Sequence, residues 1–146
     1  MTAEEMWKNS GLKGGYEAWA FGGAPDKLAE LVIRGTKTAT CSALILYEAE
    51  GERIPEAGDY SVILDSEENA VCIIKTTKVY ITPFNEVSAE HAFKEGEGDR
   101  SLKYWRAVHE EFFTEELSAI GLAFDETMKL VCEEFELAAL PAMYDK

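Results

Sequence analysis

The sequence predicts an α+β fold built on an antiparallel sheet or a small β-barrel. Runs of alternating apolar residues typical of strands are mixed with runs that have helical spacing. Their order lacks the regular βαβ rhythm of a parallel, doubly wound sheet. A length of 146 residues with 47% hydrophobic residues is enough to bury a core. No repeat or linker divides the chain, so we predict a single domain over residues 1–146.

The first predicted elements are a helix and a hairpin. Residues 25–34 have helical spacing, with Pro25 suited to the first turn and Gly35 suited to the position just beyond the end. The next runs, Tyr60–Leu64 and Val71–Ile81, alternate apolar residues around a turn signal. They predict an antiparallel pair of strands.

The second half of the chain predicts two helices and a last strand. A polar run, Lys75–Lys78, interrupts the second hairpin strand and indicates either a β-bulge or an exposed stretch. Ser88 is suited to cap a short helix through Lys94 that ends at Gly96, and Asp99 to cap a longer helix through about Leu117. Met128–Leu137 predicts the final strand.

Composition narrows the function classes. The net charge is −14, and the chain has no dense cluster of lysine and arginine. Tight binding of long nucleic acid normally needs a basic face, so we expect at most a nucleoside or a short RNA element as partner. No apolar run is long enough to span a bilayer, and the N-terminus does not resemble a signal peptide. We therefore expect a cytoplasmic protein without a membrane partner, and the sequence leaves its oligomeric state open.

The cysteines and histidines give no metal signature. Cys41, Cys72 and Cys132 are far apart, without a CxxC pair, and His91 and His109 are distant from them in sequence. We predict neither a metal nor another cofactor. Cys41 could line a site beside the lysine–threonine run, but it is interpreted as a small buried side chain rather than a nucleophile. His109 is interpreted as a core residue of a helical stripe.

Two polar segments carry the candidate chemistry. Gly35-Thr36-Lys37-Thr38-Ala39-Thr40 follows the first helix, and Glu95-Gly96-Glu97-Gly98-Asp99-Arg100 follows the short one. In each, glycine stands beside ionisable side chains, where backbone can approach a ligand closely. An extended chain would send Lys37 and Thr40 to opposite sides, so a bend is needed to bring them together. The alternative is structural: Lys37 satisfies a helix end, the threonines are strand residues, and the acidic segment is a solvated turn.

These segments resemble the ASCH domain family, which is related in fold to the PUA domains of RNA-modifying proteins. The resemblance covers nearly the whole chain, and the motifs that carry it are Trp19-Ala20-Phe21-Gly22, Gly35 to Ser42, Pro55 to Tyr60, Pro83-Phe84, Glu95 to Trp105, and Cys132-Glu133-Glu134-Phe135. It implies a PUA-like mixed or antiparallel β-barrel flanked by helices. The implied cleft lies between residues 35–42 and 95–105.

The resemblance also implies a chemistry. One small bacterial branch removes acetyl groups from N4-acetylcytidine with a lysine, a threonine and a glutamate. Matched motif by motif, these are Lys37, Thr40 and Glu95 here, the last following His91-Ala92. Other members resemble RNA-binding or ribonuclease proteins, so an RNA- or nucleotide-binding module is the alternative. This chain differs from the small branch in its N-terminal extension, its acidic glycine-rich run and its Tyr104-Trp105 pair.

Amide hydrolysis gives these residues roles. Thr40 would attack the acyl carbonyl after a neutral Lys37 takes its proton, which requires a lowered lysine pKa. Glu95 would orient the lysine or protonate the leaving amine, although a carboxylate beside Lys37 favours the charged amine. A directly activated water, oriented by Thr40, is a competing mechanism. The predicted substrate contacts are Trp19, Phe21, Gly22, Thr38, Ser42, Glu97, Arg100 and Tyr104.

Overall fold

A computed structural model describes residues 1–140. Its elements, in chain order, are α1 (Ala3–Ser10), β1 (Glu17–Trp19), α2 (Pro25–Ile33), β2 (Ala39–Ala43), α3 (Leu44–Glu50), β3 (Tyr60–Leu64), β4 (Ala70–Pro83), a 3₁₀ turn (Phe84–Glu86), α4 (Ala89–Glu95), α5 (Leu102–Ser118) and β5 (Lys129–Ala139). No helix among these residues is long and apolar enough to cross a membrane.

The strands form one curled five-stranded sheet, a half-barrel. Their order is β1-β3-β4-β5-β2. β1 runs parallel to β3, and the other neighbouring pairs are antiparallel. The α+β class is therefore confirmed, with a mixed sheet whose edge strands are β1 and β2.

Several predicted elements are confirmed. The helix at 25–34 is α2, the hairpin is β3–β4, and the last strand is β5. The bulge is present as well, since the β4–β5 register shifts between Thr76 and Lys78. Ser88 caps α4 by accepting a hydrogen bond from the His91 backbone N–H.

The predicted cap of α5 is wrong by two residues. Ser101, not Asp99, accepts the hydrogen bond from the Tyr104 backbone N–H at the start of the helix. Asp99 instead accepts a bond from the Ser101 backbone N–H at 2.9 Å. The aspartate thus closes the turn that precedes the helix, and the serine begins the helix itself.

Helices cover both faces of the sheet. On one face, Ala29 and Val32 of α2 pack with Ile63, Ile74 and Phe135. Because alternate strand residues face opposite sides, a second core forms on the other face. There α4 and α5 pack on the ends of β2 and β5, and its buried members include Ala43, Trp105, Phe113, Leu130 and Cys132. The edge strand β2 consequently lies where the α2 layer and the α5 layer approach one another.

Candidate functional site

The chain bends between α2 and β2, and this bend presents Lys37. Gly35 adopts a left-handed backbone with φ 81°, as a helix end often requires. The backbone N–H groups of Thr36 and Lys37 both donate to the carbonyl of Leu31, at 2.9 and 3.1 Å. Lys37 therefore precedes the strand rather than alternating within it. This supplies the bend that the sequence required for Lys37 and Thr40 to share a cavity.

The acidic segment approaches the same bend through Gly96. Its φ is 73°, and a Cβ atom there would lie 2.4 Å from the carbonyl oxygen of Thr36. The backbone of Thr38 also donates to the carbonyl of Lys94 at 2.7 Å. Only glycine permits this close approach, which brings the carboxylates of the acidic segment to Lys37.

Glu95 is a fully buried carboxylate surrounded by four donor groups. Its side chain is 1% exposed. Lys37 Nζ and His109 Nε2 lie 3.3 and 3.4 Å from Oε1. His91 Nε2 and Trp105 Nε1 lie 2.7 and 2.8 Å from Oε2. Burial raises the pKa of Glu95, but Lys37 and the two histidines outweigh it, so the pKa lies well below its ordinary value.

Lys37 is held as an ammonium. Its Nζ lies 3.3 Å from both Oε1 and the backbone oxygen of Glu95, and 3.1 Å from Oε2 of Glu97. The ring of Phe21 lies 5.3 Å from Nζ, within the range of a cation–π contact. Burial lowers the pKa of Lys37, but Glu95 and Glu97 outweigh it and the pKa is raised. The two carboxylates thus hold the group as a cation rather than as a neutral base.

The two histidines contact opposite oxygens of Glu95. His91 donates through Nε2 to the carboxylate, so its Nδ1, 2.9 Å from the Tyr80 hydroxyl, is assigned as the acceptor of that phenol. His109 donates through Nδ1 to the Trp105 carbonyl at 2.9 Å. Burial lowers the pKa of His109, but hydrogen bonding and charge from Glu95 raise it overall. The imidazolium form of His109 is therefore favoured.

A cavity of about 250 Å³ opens beside this cluster. It lies between α2 and α5, and its polar lining includes Lys27, Lys37, Thr40, Glu95, Glu97 and His109. Aromatic and small residues complete it, among them Phe21, Gly22, Tyr104 and Phe112. A Cβ atom at position 22 would lie 2.8 Å from the ring of Phe112, so glycine there keeps the aromatic wall in place.

A larger groove of about 1200 Å³ adjoins the cavity. It extends from β1 across β2 and β5. Its lining includes Trp19, Ser42, Thr76 and Glu133. Thr40 lines both spaces. Its side chain therefore stands where the charged cavity meets the groove.

The predicted site residues fall into three positions. Lys37, Thr40 and Glu95 line the cavity together with Phe21, Gly22, Glu97 and Tyr104. Trp19 and Ser42 line the groove, where the Ser42 hydroxyl lies 2.6 Å from that of Tyr47.

Thr38 and Arg100 line neither of these two spaces. The Thr38 hydroxyl faces the carbonyl of Lys94 at 3.5 Å. Arg100 packs on the ring of Phe93, 3.6 Å from its centroid, and donates to the carbonyls of Phe93 and Thr36. Both residues connect the two polar segments.

Sequence reasoning did not assign a site role to four residues that lie in or beside the cavity and the groove: His91, Trp105, His109 and Glu133. His109 is not only a core residue: it stacks on Trp105 with 4.4 Å between ring centroids and lines the cavity. A usable sequence signal for the histidines was the i, i+4 spacing. It places Trp105 and His109 on one face of α5, and His91 and Glu95 on one face of α4. Glu133 carried no such signal, because its face of β5 depends on strand register.

Two sets of side chains could hold a metal ion. Ligand atoms of Glu95, Glu97 and His109 lie within 4.8 Å of one another, as do those of Cys41, His91 and Glu95. In the first set, Lys37 Nζ already lies between the two carboxylates and supplies positive charge. In the second set, burial, as the main cause, and the charge of Glu95, as the next, raise the pKa of the Cys41 thiol well above its ordinary value. The thiolate that would bind a metal is therefore disfavoured.

The fold and site together define a PUA-like domain with a buried lysine–glutamate pair beside a cavity. The ASCH domain profile matches residues 17–139, so the chain belongs to the ASCH domain family. Among solved structures, an ASCH domain from Lactobacillus crispatus JV V101 is 30% identical, covers 93% of each chain and has a TM-score of 0.86. A protein from Enterococcus faecalis V583 is 40% identical, with 97% of this chain and 91% of that one covered and a TM-score of 0.87.

More distant structures share the fold alone. An ASCH protein from Zymomonas mobilis is 10% identical, covers 87% of this chain and 73% of its own, and has a TM-score of 0.50. A comparison with curated proteins finds no significant match.

Proposed function

We propose that this ASCH domain protein is an amidohydrolase that removes the acyl group from an acylated nucleoside such as N4-acetylcytidine. The observation that carries the proposal is that Lys37 and Thr40 line the same cavity. Hydrolysis of an amide develops negative charge on the carbonyl oxygen, and a fixed cation beside it lowers the barrier. A hydroxyl at the same wall supplies a nucleophile or orients a water.

The buried cluster sets the role of each group. Lys37 is charged, so it stabilises the oxyanion rather than accepting the proton of Thr40. Glu95 holds the ammonium in place and is fully engaged by its donors, which makes it a positioning residue. This arrangement replaces the neutral lysine of the sequence-based mechanism with a preorganised cation.

The cavity walls fit a single base better than a polymer. Phe21, Tyr104 and Phe112 offer aromatic surface on which a nucleobase can stack. A volume of about 250 Å³ is close to the lower end for small-molecule sites. The net charge of −14 opposes a long phosphate backbone.

Binding of a nucleotide or a short RNA element without hydrolysis is the second candidate. The adjoining groove supports it, since it could receive nucleotides that flank a base held in the cavity. Such a module would bind ligand without releasing acetate, and a ribonuclease would shorten an oligonucleotide.

The test is acetate release from N4-acetylcytidine by the wild-type protein, Lys37→Met and Lys103→Met. Both substitutions remove a lysine, but Lys103 is exposed on α5 and lies outside the cavity lining. We expect turnover in the wild type and Lys103→Met, and a loss of at least about 100-fold in folded Lys37→Met. Circular dichroism checks the fold of each variant. Wild-type protein without turnover at high enzyme concentration would remove this substrate and favour the binding module.

A further inference from the structure

We propose that Glu133 is the catalytic base of this site, and that it takes the proton of the Thr40 hydroxyl as the oxygen attacks the acyl carbonyl. The inference rests on the proposed hydrolase function and assigns its proton acceptor. It follows from which groups are already engaged and from where Glu133 lies.

Four titratable groups beside the cavity, those of Lys37, Glu95, His91 and His109, are occupied by one another and by their immediate neighbours. Lys37 is an ammonium between two carboxylates. Glu95 accepts from donors on both oxygens. Each ring nitrogen of His91 and His109 faces a partner. Taking a proton onto Glu95 or either histidine would break this network, so none of these three residues is suited to be the base.

Glu133 lies directly beside the proposed nucleophile. It is paired with Thr40 across the antiparallel strands β5 and β2. Residues paired in this way point to the same face, with Cβ atoms roughly 4.5–5.5 Å apart. Thr40 and Glu133 both line the groove, and Thr40 also lines the cavity that holds Lys37. The acyl carbonyl would therefore lie between the cation and the carboxyl group.

The Glu133 carboxyl group is buried but only half engaged. The residue is 8% exposed. Thr76 donates to Oε1 at 3.3 Å, and Oε2 has no hydrogen-bond partner among residues 1–140. Every fully buried polar side-chain atom of those residues has a partner, so Oε2 is not fully buried. Since Glu133 lines the groove, that oxygen is open to it and can accept a proton there.

The surroundings make this carboxyl group a base near neutral pH. Burial raises its pKa, the bond from Thr76 lowers it, and Asp59 and Glu17 raise it further, giving a value of about 7. A base with such a pKa is ionised often enough to accept a proton and acidic enough to return it. The charged and phenolic side chains that share the groove with it are Lys13, Tyr16, Glu17, Tyr47, Glu52, Arg53, Asp59, Tyr60 and Glu116.

The proton then moves through a balanced sequence. Thr40 Oγ bonds to the acyl carbon while its proton passes to Glu133, and the carbonyl electron pair becomes an oxyanion beside Lys37. Collapse breaks the carbon–nitrogen bond, and Glu133 returns the proton to the leaving amine. A water then gives its proton to Glu133 and attacks the acyl–threonine ester. Collapse releases the acid, and Glu133 returns the proton to Thr40 Oγ.

The test compares the pH dependence of kcat in the wild type, Glu133→Gln and Glu134→Gln. Glu134 is the matched control, because it is the next residue on β5 and lies against Lys94 at 3.0 Å. We expect wild-type activity to rise with pH through about 7, and Glu133→Gln to lose about 100-fold or more. Glu134→Gln should keep the wild-type profile.

A second variant separates a base from a merely structural residue. Thr76→Val removes the hydrogen bond that lowers the pKa of Glu133, so the acidic limb of the pH profile should move to higher pH. The assignment of Glu133 is overturned if the acidic limb of the pH profile does not move in Thr76→Val, or if Glu133→Gln and Glu134→Gln are equally active. Either result leaves the proposed hydrolase function standing. A wild-type protein that releases no acetate overturns both.

Discussion

Glu95 and Glu133 are two buried glutamates beside adjoining spaces, and their environments push them toward opposite charge states. They are 1% and 8% exposed. Glu95 faces donors from Lys37, His91, Trp105 and His109. Glu133 receives a hydrogen bond only from Thr76 within residues 1–140.

The difference shows that donors, not burial alone, set the charge of a buried carboxyl group. Burial raises the pKa of both residues, but the donors around Glu95 reverse its effect, while one hydroxyl leaves the pKa of Glu133 at about 7. Glu95 is a fixed anion that positions a cation. Glu133 is the group whose proton can move near neutral pH.

The largest expected effect comes from removing the carboxylate of Glu95, the fixed anion. Glu95→Ala leaves Lys37 and His109 buried without their shared carboxylate, which should lower the free energy of unfolding by about 3 kcal/mol or more. Because the folded pKa of Glu95 is depressed, its contribution is present above the ordinary value of 4.5 and is lost as pH falls through the folded pKa. Urea unfolding at pH 7 and at lower pH measures both.

The control for this loss is Glu90→Ala on the same helix. Glu90 is 78% exposed and pairs with Lys94 at the surface, so its removal should change stability by no more than about 0.5 kcal/mol. Equal effects of the two substitutions would show that the cluster does not hold its charges as described.

A second, opposite effect is expected at Glu133. Its folded pKa is raised to about 7 from the ordinary 4.5, so stability falls as pH rises between those values. Glu133→Gln removes this dependence and should stabilise the protein by about 2–3 kcal/mol at pH 8, with little change at pH 4. Urea unfolding at the two values tests it, and a variant less stable than wild type at pH 8 contradicts it. A gain in stability with a loss of turnover would mark Glu133 as functional.

Local patterns predicted the elements that have strong periodicity or end signals. The helix at 25–34, the hairpin and the capped α4 all have them. α1, β1 and α3 were missed. β1 is only three residues long, and α3 follows β2 directly without a side-chain cap. α1 had a usable signal, the capping box of Thr2 and Glu5.

The candidate site could be predicted only in part. The sequence indicated the ionisable side chains that stand beside glycines in the two polar segments. Lys37 and Glu95 were predicted as site residues in this way, and the family resemblance connected them. Their contact depends on the fold, because it joins residues 58 positions apart. The neighbours Glu133 and Glu134 look alike in sequence, and only the pairing of β5 with β2 and β4 places Glu133 at Thr40 and Thr76. Register of this kind is set by tertiary packing, which a local pattern does not encode.

The smallest expected effect tests how the chain brings Lys37 to Glu95 and Glu97. Gly96→Ala must accommodate a Cβ atom 2.4 Å from the Thr36 carbonyl oxygen, whereas Gly11→Ala has a similar φ of 75° and nothing within 4 Å. Both carry the cost of a left-handed alanine, roughly 1 kcal/mol. Gly96→Ala should cost about 1–2 kcal/mol more, because backbone must move. That movement separates Lys37 from Glu95 and Glu97, so acetate release should fall in Gly96→Ala and persist in Gly11→Ala. Equal stabilities in urea would show that the approach of the two polar segments does not depend on glycine at position 96.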